Sequence, residues 1–127
     1  MATIYKNDIT AITATGSDEV FYTCPSGSTA IINTIFVYNG SGGATDFTLS
    51  LHDTSAGTSA RIYFKSTLAN LATDTVLGSG NVVVLEDSDI LKINTTAQPL
   101  DITVSVLQIS RTWFKEKKWV IMNKNTE

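Results

Sequence analysis

A chain of 127 residues with 43% hydrophobic and 17% charged residues is long enough to bury one core without disulfides or metals, and it reads as one folded domain with an extension. The net charge of −3 excludes a strongly basic body, and the single cysteine, Cys24, excludes an intrachain disulfide, so nothing argues for an oxidising compartment. The charge is uneven: residues 1–110 carry ten acidic against four basic side chains, net −6, while residues 111–127 carry five basic against two acidic, net +3. Such asymmetry between body and tail marks an interaction segment.

In chain order, Thr3–Asn7 and Ile9–Thr15 read as two short strands, because Thr and Ile recur and no helical stripe follows a cap. Lys6, Asp8, Asp18 and Glu19 interrupt the first twenty residues, which predicts no secretory signal peptide. No later stretch has the length and apolarity of a membrane span, so no membrane partner is expected. Glu19–Thr23 is a strand running into a turn at Pro25 and Gly27. Thr29–Asn39 follows as a long strand rich in β-branched and aromatic residues. Ile31, Ile35 and Val37 fall on one of its sides and Ala30, Ile32, Phe36 and Tyr38 on the other, which predicts protein against both faces for part of its length.

Gly40–Ala44 is a loop, and Thr45–Asp53 is the cleanest alternation in the chain, with Phe47, Leu49 and Leu51 opposite Asp46, Thr48, Ser50 and His52. Thr54–Thr58 is a hairpin loop, and Arg61–Lys65 a strand with Ile62 and Phe64 opposite Arg61, Tyr63 and Lys65. Thr67–Thr75 is the one segment where a short helical turn is expected. Val82–Leu85 reads as a buried strand, Glu86–Asp89 as an acidic turn, Ile90–Thr95 as a strand, Gln98-Pro99 as a turn and Asp101–Ser110 as the last strand. In that last strand Ile102, Val104 and Val106 share a face, but Leu107 and Ile109 fall on opposite sides of that pattern from them, which predicts a bulge or burial on both sides.

Short strands with polar turns every few residues predict an all-β antiparallel β-sandwich over residues 1–110, with a C-terminal arm over residues 111–127. Immunoglobulin-like and jelly-roll sandwiches both fit, and the jelly roll is preferred because the paired cysteines and central tryptophan of the former are missing.

Residues for chemistry are sparse. Zinc needs several Cys or His ligands, and the chain has Cys24 and His52. Glu86, Asp87 and Asp89 offer oxygens to calcium, although an acidic turn is ordinarily a solvated turn, so no metal is expected. A Ser-His-carboxylate triad has only His52 to serve as base, on the polar face of a strand, where a surface histidine is the simpler reading. Gly40–Gly43 lacks the lysine and helix of a phosphate-binding loop. Cys24 reads as a small packed side chain. No cofactor and no enzymatic activity are expected.

The tail is different. Both tryptophans, Trp113 and Trp119, lie in Arg111–Met122, among Phe114, Lys115, Lys117, Lys118 and Ile121. Trp, Arg and aromatic residues are enriched where proteins meet. Three readings compete: an extra element on the chain's own core, an arm docking on a neighbouring subunit or another protein, and a nucleic-acid contact. The acidic body opposes the third, so nucleic acid is not expected. The second gives Arg111, Trp113, Phe114, Lys115, Lys117, Lys118, Trp119 and Ile121 as partner-binding residues.

The segment Asp18-Glu19-Val20-Phe21-Tyr22-Thr23-Cys24-Pro25-Ser26-Gly27-Ser28-Thr29-Ala30-Ile31-Ile32 resembles the opening of small β-sandwich proteins of tailed bacteriophages. Tyr38–Gly42, Val83–Ile93 and Asp101–Ile109 are similar to later segments of the same pattern, so the resemblance covers residues 15–110. Cys24 stands where the family tends to have valine, and Ser28 where lysine is common. The resemblance implies a virion structural protein, either a head decoration (cement) protein or a neck or tail accessory protein, forming homo-oligomers with copies of itself and contacting other virion proteins. It implies no catalytic residues, and the arm lies outside it. A carbohydrate- or receptor-binding module is the rival, for which Tyr5, Tyr22, Tyr38 and Tyr63 are the aromatic candidates outside the tail.

Overall fold

The computed structural model describes residues 3–77 and 80–110. Among these residues nine strands form and no helix does: β1 (Thr3–Ile12), β2 (Glu19–Thr23), β3 (Ser28–Asn39), β4 (Thr45–Asp53), β5 (Thr58–Leu68), β6 (Thr73–Leu77), β7 (Val83–Leu85), β8 (Ile90–Thr95) and β9 (Leu100–Ser110). Every strand pairing is antiparallel. One sheet runs β1-β9-β3-β6, with β7 also on β3, and the other runs β2-β8-β4-β5.

The order has a simple logic. The β4–β5 hairpin is the tip of a long folded ribbon, in which β3 pairs with β6 and β7, β2 with β8, and β1 with β9. Wrapping that ribbon on itself adds the β3–β9 and β4–β8 pairings and yields two sheets, which is the jelly-roll arrangement. The expectation of an antiparallel sandwich therefore holds.

The core fills the gap between the sheets. Phe47, Leu49, Leu91 and Ile93 of one sheet face Ile32, Ile35, Val37, Ile102, Val104 and Val106 of the other, and all are essentially buried. Ile12, Leu85 and Leu100 are fully buried in the same cluster. Each such side chain contributes about 1.5–3 kcal/mol on burial, so this layer dominates the stability.

Several expectations change. The two N-terminal strands are one, because β9 offers β1 an unbroken ladder from Thr3↔Ile109 to Ile12↔Leu100 and Asn7-Asp8 pairs within it. The helical turn expected over Thr67–Thr75 does not form. There β5 runs to Leu68, Leu71 adopts φ 63°, and β6 begins at Thr73 to pair with β3, so strand pairing overrides local helix propensity. On β5 the outward face is the more apolar one: Ile62 and Phe64 are exposed, while Tyr63 turns inward with its ring centroid 6.0 Å from that of Phe47. Of Val82–Leu85, only Leu85 is fully buried.

The two apolar faces of the long strand have a different cause from the one expected. A register shift between Ile32 and Thr34 puts a bulge in β3. Before it Ala30 and Ile32 point inward; after it Ile35, Val37 and Asn39 do. No second layer covers the outer face among the described residues. The last strand, conversely, keeps its phase: Leu100, Ile102, Val104, Val106 and Gln108 all point inward, and Leu107 and Ile109 point outward.

Candidate functional site

Alternation along β1, β9, β3 and β7 decides what their sheet shows to its surroundings. Register places Tyr5 beside Leu107, Leu107 beside Ile31, and Ile31 beside Val84. Leu107 points away from the core, so its three neighbours share that outer face. Four strands thus contribute to one apolar row. Tyr5 is 78% exposed and Val84 53%, with Leu107 and Ile31 half-buried between them. A second row holds Ile9, 67% exposed, and Phe36, both beside Thr103. The outer face of an antiparallel sheet is ordinarily polar, and contiguous exposed apolar patches mark interaction sites.

Between the two rows lies a shallow depression of about 320 Å³ lined by Tyr5, Lys6, Asn7, Asn33, Ser105 and Val106, at the level of the β3 bulge. Asp101 pairs with Ala11 and Tyr38 on the same face, and Lys6 stands exposed on the edge strand beside the depression.

The outer face of the opposite sheet is mixed, with Ile62 and Phe64 exposed on β5 beside a polar groove. Asp18, Thr48, Ser50, Ser59, Ala60, Arg61 and Asn94 line an open groove of about 540 Å³. The Asn94 side-chain amide donates to Asp18 Oδ1 at 3.2 Å. Phe64, 62% exposed, is the register neighbour of Thr48 at this face.

The residues singled out for chemistry are otherwise occupied. Cys24 is buried, and its thiol donates to the Ser28 carbonyl at 3.4 Å and the Leu85 carbonyl at 3.8 Å. His52 Nδ1 lies 2.7 Å from Ser59 Oγ, but no carboxylate bonds its second nitrogen among the described residues, so the orienting arm of a triad is not built there. The carboxylates of Asp53, Glu86 and Asp89 come within 4.8 Å of one another. Asp89 is nonetheless committed to backbone: Oδ1 accepts from the Thr54 N–H at 3.1 Å and Oδ2 from the Glu86 N–H at 2.9 Å. Asp87 Oδ2 accepts from the Gly27 N–H at 3.1 Å, in a turn where Gly27 takes φ 76°. Hydrogen bonds from the Ser55 hydroxyl and the Ala56 N–H hold the Asp53 carboxyl below its ordinary pKa. The acidic turn ties the β2–β3 and β4–β5 loops together through their N–H groups.

Of the aromatic candidates for sugar binding, Tyr22 lies in the core, Tyr63 packs against it, Tyr38 is half-buried and Tyr5 stands on the apolar row. The arm residues Arg111, Trp113, Phe114, Lys115, Lys117, Lys118, Trp119 and Ile121 lie outside the described residues. The apolar row itself escaped the sequence reading, although the outward phase of Leu107 and Ile109 was its visible signal.

The fold defines the chain as a jelly-roll β-sandwich with an apolar row on one outer face and a polar groove on the other. No family model matches the sequence, and no curated protein matches it. The chain is similar to a solved chain from the "Structure of infectious bursal disease virus Gt strain", at 10% identity and a TM-score of 0.41, over 86% of this chain and 33% of that one. It therefore spans about a third of that chain's length.

Proposed function

We propose that this chain is a non-enzymatic structural protein of a virion, of the tailed-phage kind that Asp18–Ile32 resembles. It serves as a head decoration or neck/tail accessory protein, works as a homo-oligomer and is anchored through residues 111–127. The observation that carries the reading is the apolar row Tyr5–Leu107–Ile31–Val84, a surface that gains stability only by being covered. Jelly rolls serve capsids, lectins and cupins alike. The scarcity of histidine, with His52 alone in the sequence, speaks against a cupin-type metal site.

Mass measurement by light scattering on the 127-residue chain tests this. A closed oligomer is expected, and truncation after Ser110 is expected to leave a folded domain that no longer assembles. A trimer favours a capsid site, and a five-, six- or twelvefold ring a vertex, neck or tail site. A chain that stays monomeric and binds no virion protein would sink the proposal.

The polar groove around Asp18, Thr48, Ser50 and Asn94, with Phe64 beside it, favours one second reading, a carbohydrate- or receptor-binding module. Saccharide recognition wants hydrogen-bonding groups next to an exposed ring. A glycan array separates the two, since that reading requires hits that disappear in Asn94→Ala.

A further inference from the structure

We infer that the outer face of the β1-β9-β3-β7 sheet is the docking surface for residues 111–122 of a second copy of this chain. The inference rests on the self-assembly reading above and names its contact. Three observations carry it.

The first is where β9 ends. Ile109 pairs with Thr3 at one edge and Ser110 with Ser28 at the other, so the chain leaves β9 at the margin of the sheet. Laying the following residues over the same sheet would require an immediate reversal. Residues 111–122, Arg-Thr-Trp-Phe-Lys-Glu-Lys-Lys-Trp-Val-Ile-Met, contain none of the Gly, Pro, Asn, Asp or Ser that favour tight turns. A chain that kept the direction of β9 would leave its own sheet and be free to reach a neighbour.

The second is complementarity of surface. The row on the sheet is apolar across four strands, a width of about 14 Å at the usual strand spacing. Trp113 to Met122 would span about 33 Å if it were extended at strand rise, which is ample, and its sequence offers Trp113, Phe114, Trp119, Val120 and Ile121 to such a row. Each large aromatic side chain covers about 150–250 Å².

The third is charge. Asp101 stands exposed on the face and Lys6 on its edge strand, while residues 1–110 as a whole carry ten acidic against four basic side chains, net −6. Residues 111–127 carry net +3. Opposite net charges favour docking of the arm of one copy on the body of another.

The test uses the full chain, whose only tryptophans are Trp113 and Trp119, so that tryptophan emission reports the arm alone. With rising protein concentration the expected result is a blue shift that tracks the increase in mass by light scattering. Tyr5→Lys with Val84→Lys should abolish both, while Phe64→Lys on the opposite face should abolish neither; circular dichroism reports whether each variant folds. Should the lysine pair not fold, Tyr5→Thr with Val84→Thr, polar but β-branched, is expected to weaken assembly at least tenfold. A blue-shifted emission that persists at concentrations where light scattering reports a monomer would overturn the inference in favour of the chain's own arm. Assembly that persists in the folded face variants would overturn it while leaving self-assembly standing. A monomer with unchanging emission would overturn both.

Discussion

Inside the sandwich the Gln108 side-chain amide donates to the Tyr22 hydroxyl, joining β9 of one sheet to β2 of the other across the apolar layer. Both side chains are buried, and burial pushes the Tyr22 phenol above its ordinary pKa, partly offset by the bond from Gln108. A lone polar group at this depth costs about 1–3 kcal/mol, whereas removing both partners together is close to neutral. Tyr22→Phe and Gln108→Leu are each expected to lower stability by about that amount. The double variant should lose less than the sum, and urea unfolding of the four proteins closes the cycle. Strictly additive losses would mean that the bond does not couple the sheets.

Asn39 is fully buried at the end of β3, and its side chain organises two loops at once. Its amide donates to the Gly43 and Leu68 carbonyls, both at 2.8 Å, and to the Ala69 carbonyl at 3.2 Å, while its Oδ1 accepts from the Ser41 N–H at 3.0 Å. Asn39→Ala strips several buried backbone groups of partners, and a loss of about 2–4 kcal/mol is expected. Asn39→Asp should also destabilise, because a carboxylate cannot donate to three carbonyls. A thermal midpoint within 2 °C of wild type for Asn39→Ala would contradict this account.

Strands whose alternation is decided by the chain itself were legible in sequence. Thr45–Asp53 and Ile90–Thr95 have the bounds expected, because polar turns delimit each of them. What was not legible depends on partners distant in sequence. The bulge near Asn33 inverts the inward set of β3, and only pairing with Ser105 and Val106 reveals it. Gln108 breaks an apolar run and so hid the constant phase of β9, since nothing local shows that Tyr22 awaits it. Leu68–Ala72 has the composition of a helical turn, yet the Leu71 N–H donates to the Asn39 carbonyl at 2.8 Å and the Asn39 N–H to the Ala72 carbonyl at 2.9 Å. The apolar outer row was visible only as two anomalies of phase, each with a local explanation at hand.

Asp89 offers a test of whether the acidic cluster is a staple or a cation site. Both its oxygens accept backbone N–H groups, from Thr54 and Glu86, and the Asp89 N–H itself donates to the Glu86 carbonyl at 3.0 Å. Asp89→Ala is expected to cost about 2–4 kcal/mol, since two donors lose a charged acceptor. Millimolar calcium, or its removal with EDTA, is expected to leave the unfolding midpoint unchanged. A calcium-dependent rise that vanishes in Glu86→Gln would show the carboxylates to be ligands instead.

Tyr63 links the two sheets at the other end, donating its hydroxyl to Asp74 Oδ2 at 2.6 Å. That bond, then burial, pushes its pKa from 10.0 up to about 12. The folded state therefore holds the phenolic proton more tightly than the unfolded chain does. Its contribution is complete below pH 10 and is lost as pH rises from 10 toward about 12. Tyr63→Phe removes that contribution at every pH, keeping the ring against Phe47 but leaving Asp74 without the donor. At neutral pH the variant is expected to be less stable by on the order of 1 kcal/mol. The gap between wild type and variant should close across the alkaline window, because ionisation of Tyr63 beside the Asp74 carboxylate withdraws from wild type what the variant never had. Tyr22 also titrates late, but it does so in both proteins and cancels in the difference. Urea midpoints of the two proteins between pH 8 and 12 measure it, and a gap that stays constant through pH 12 would show that the hydroxyl contributes nothing through its proton.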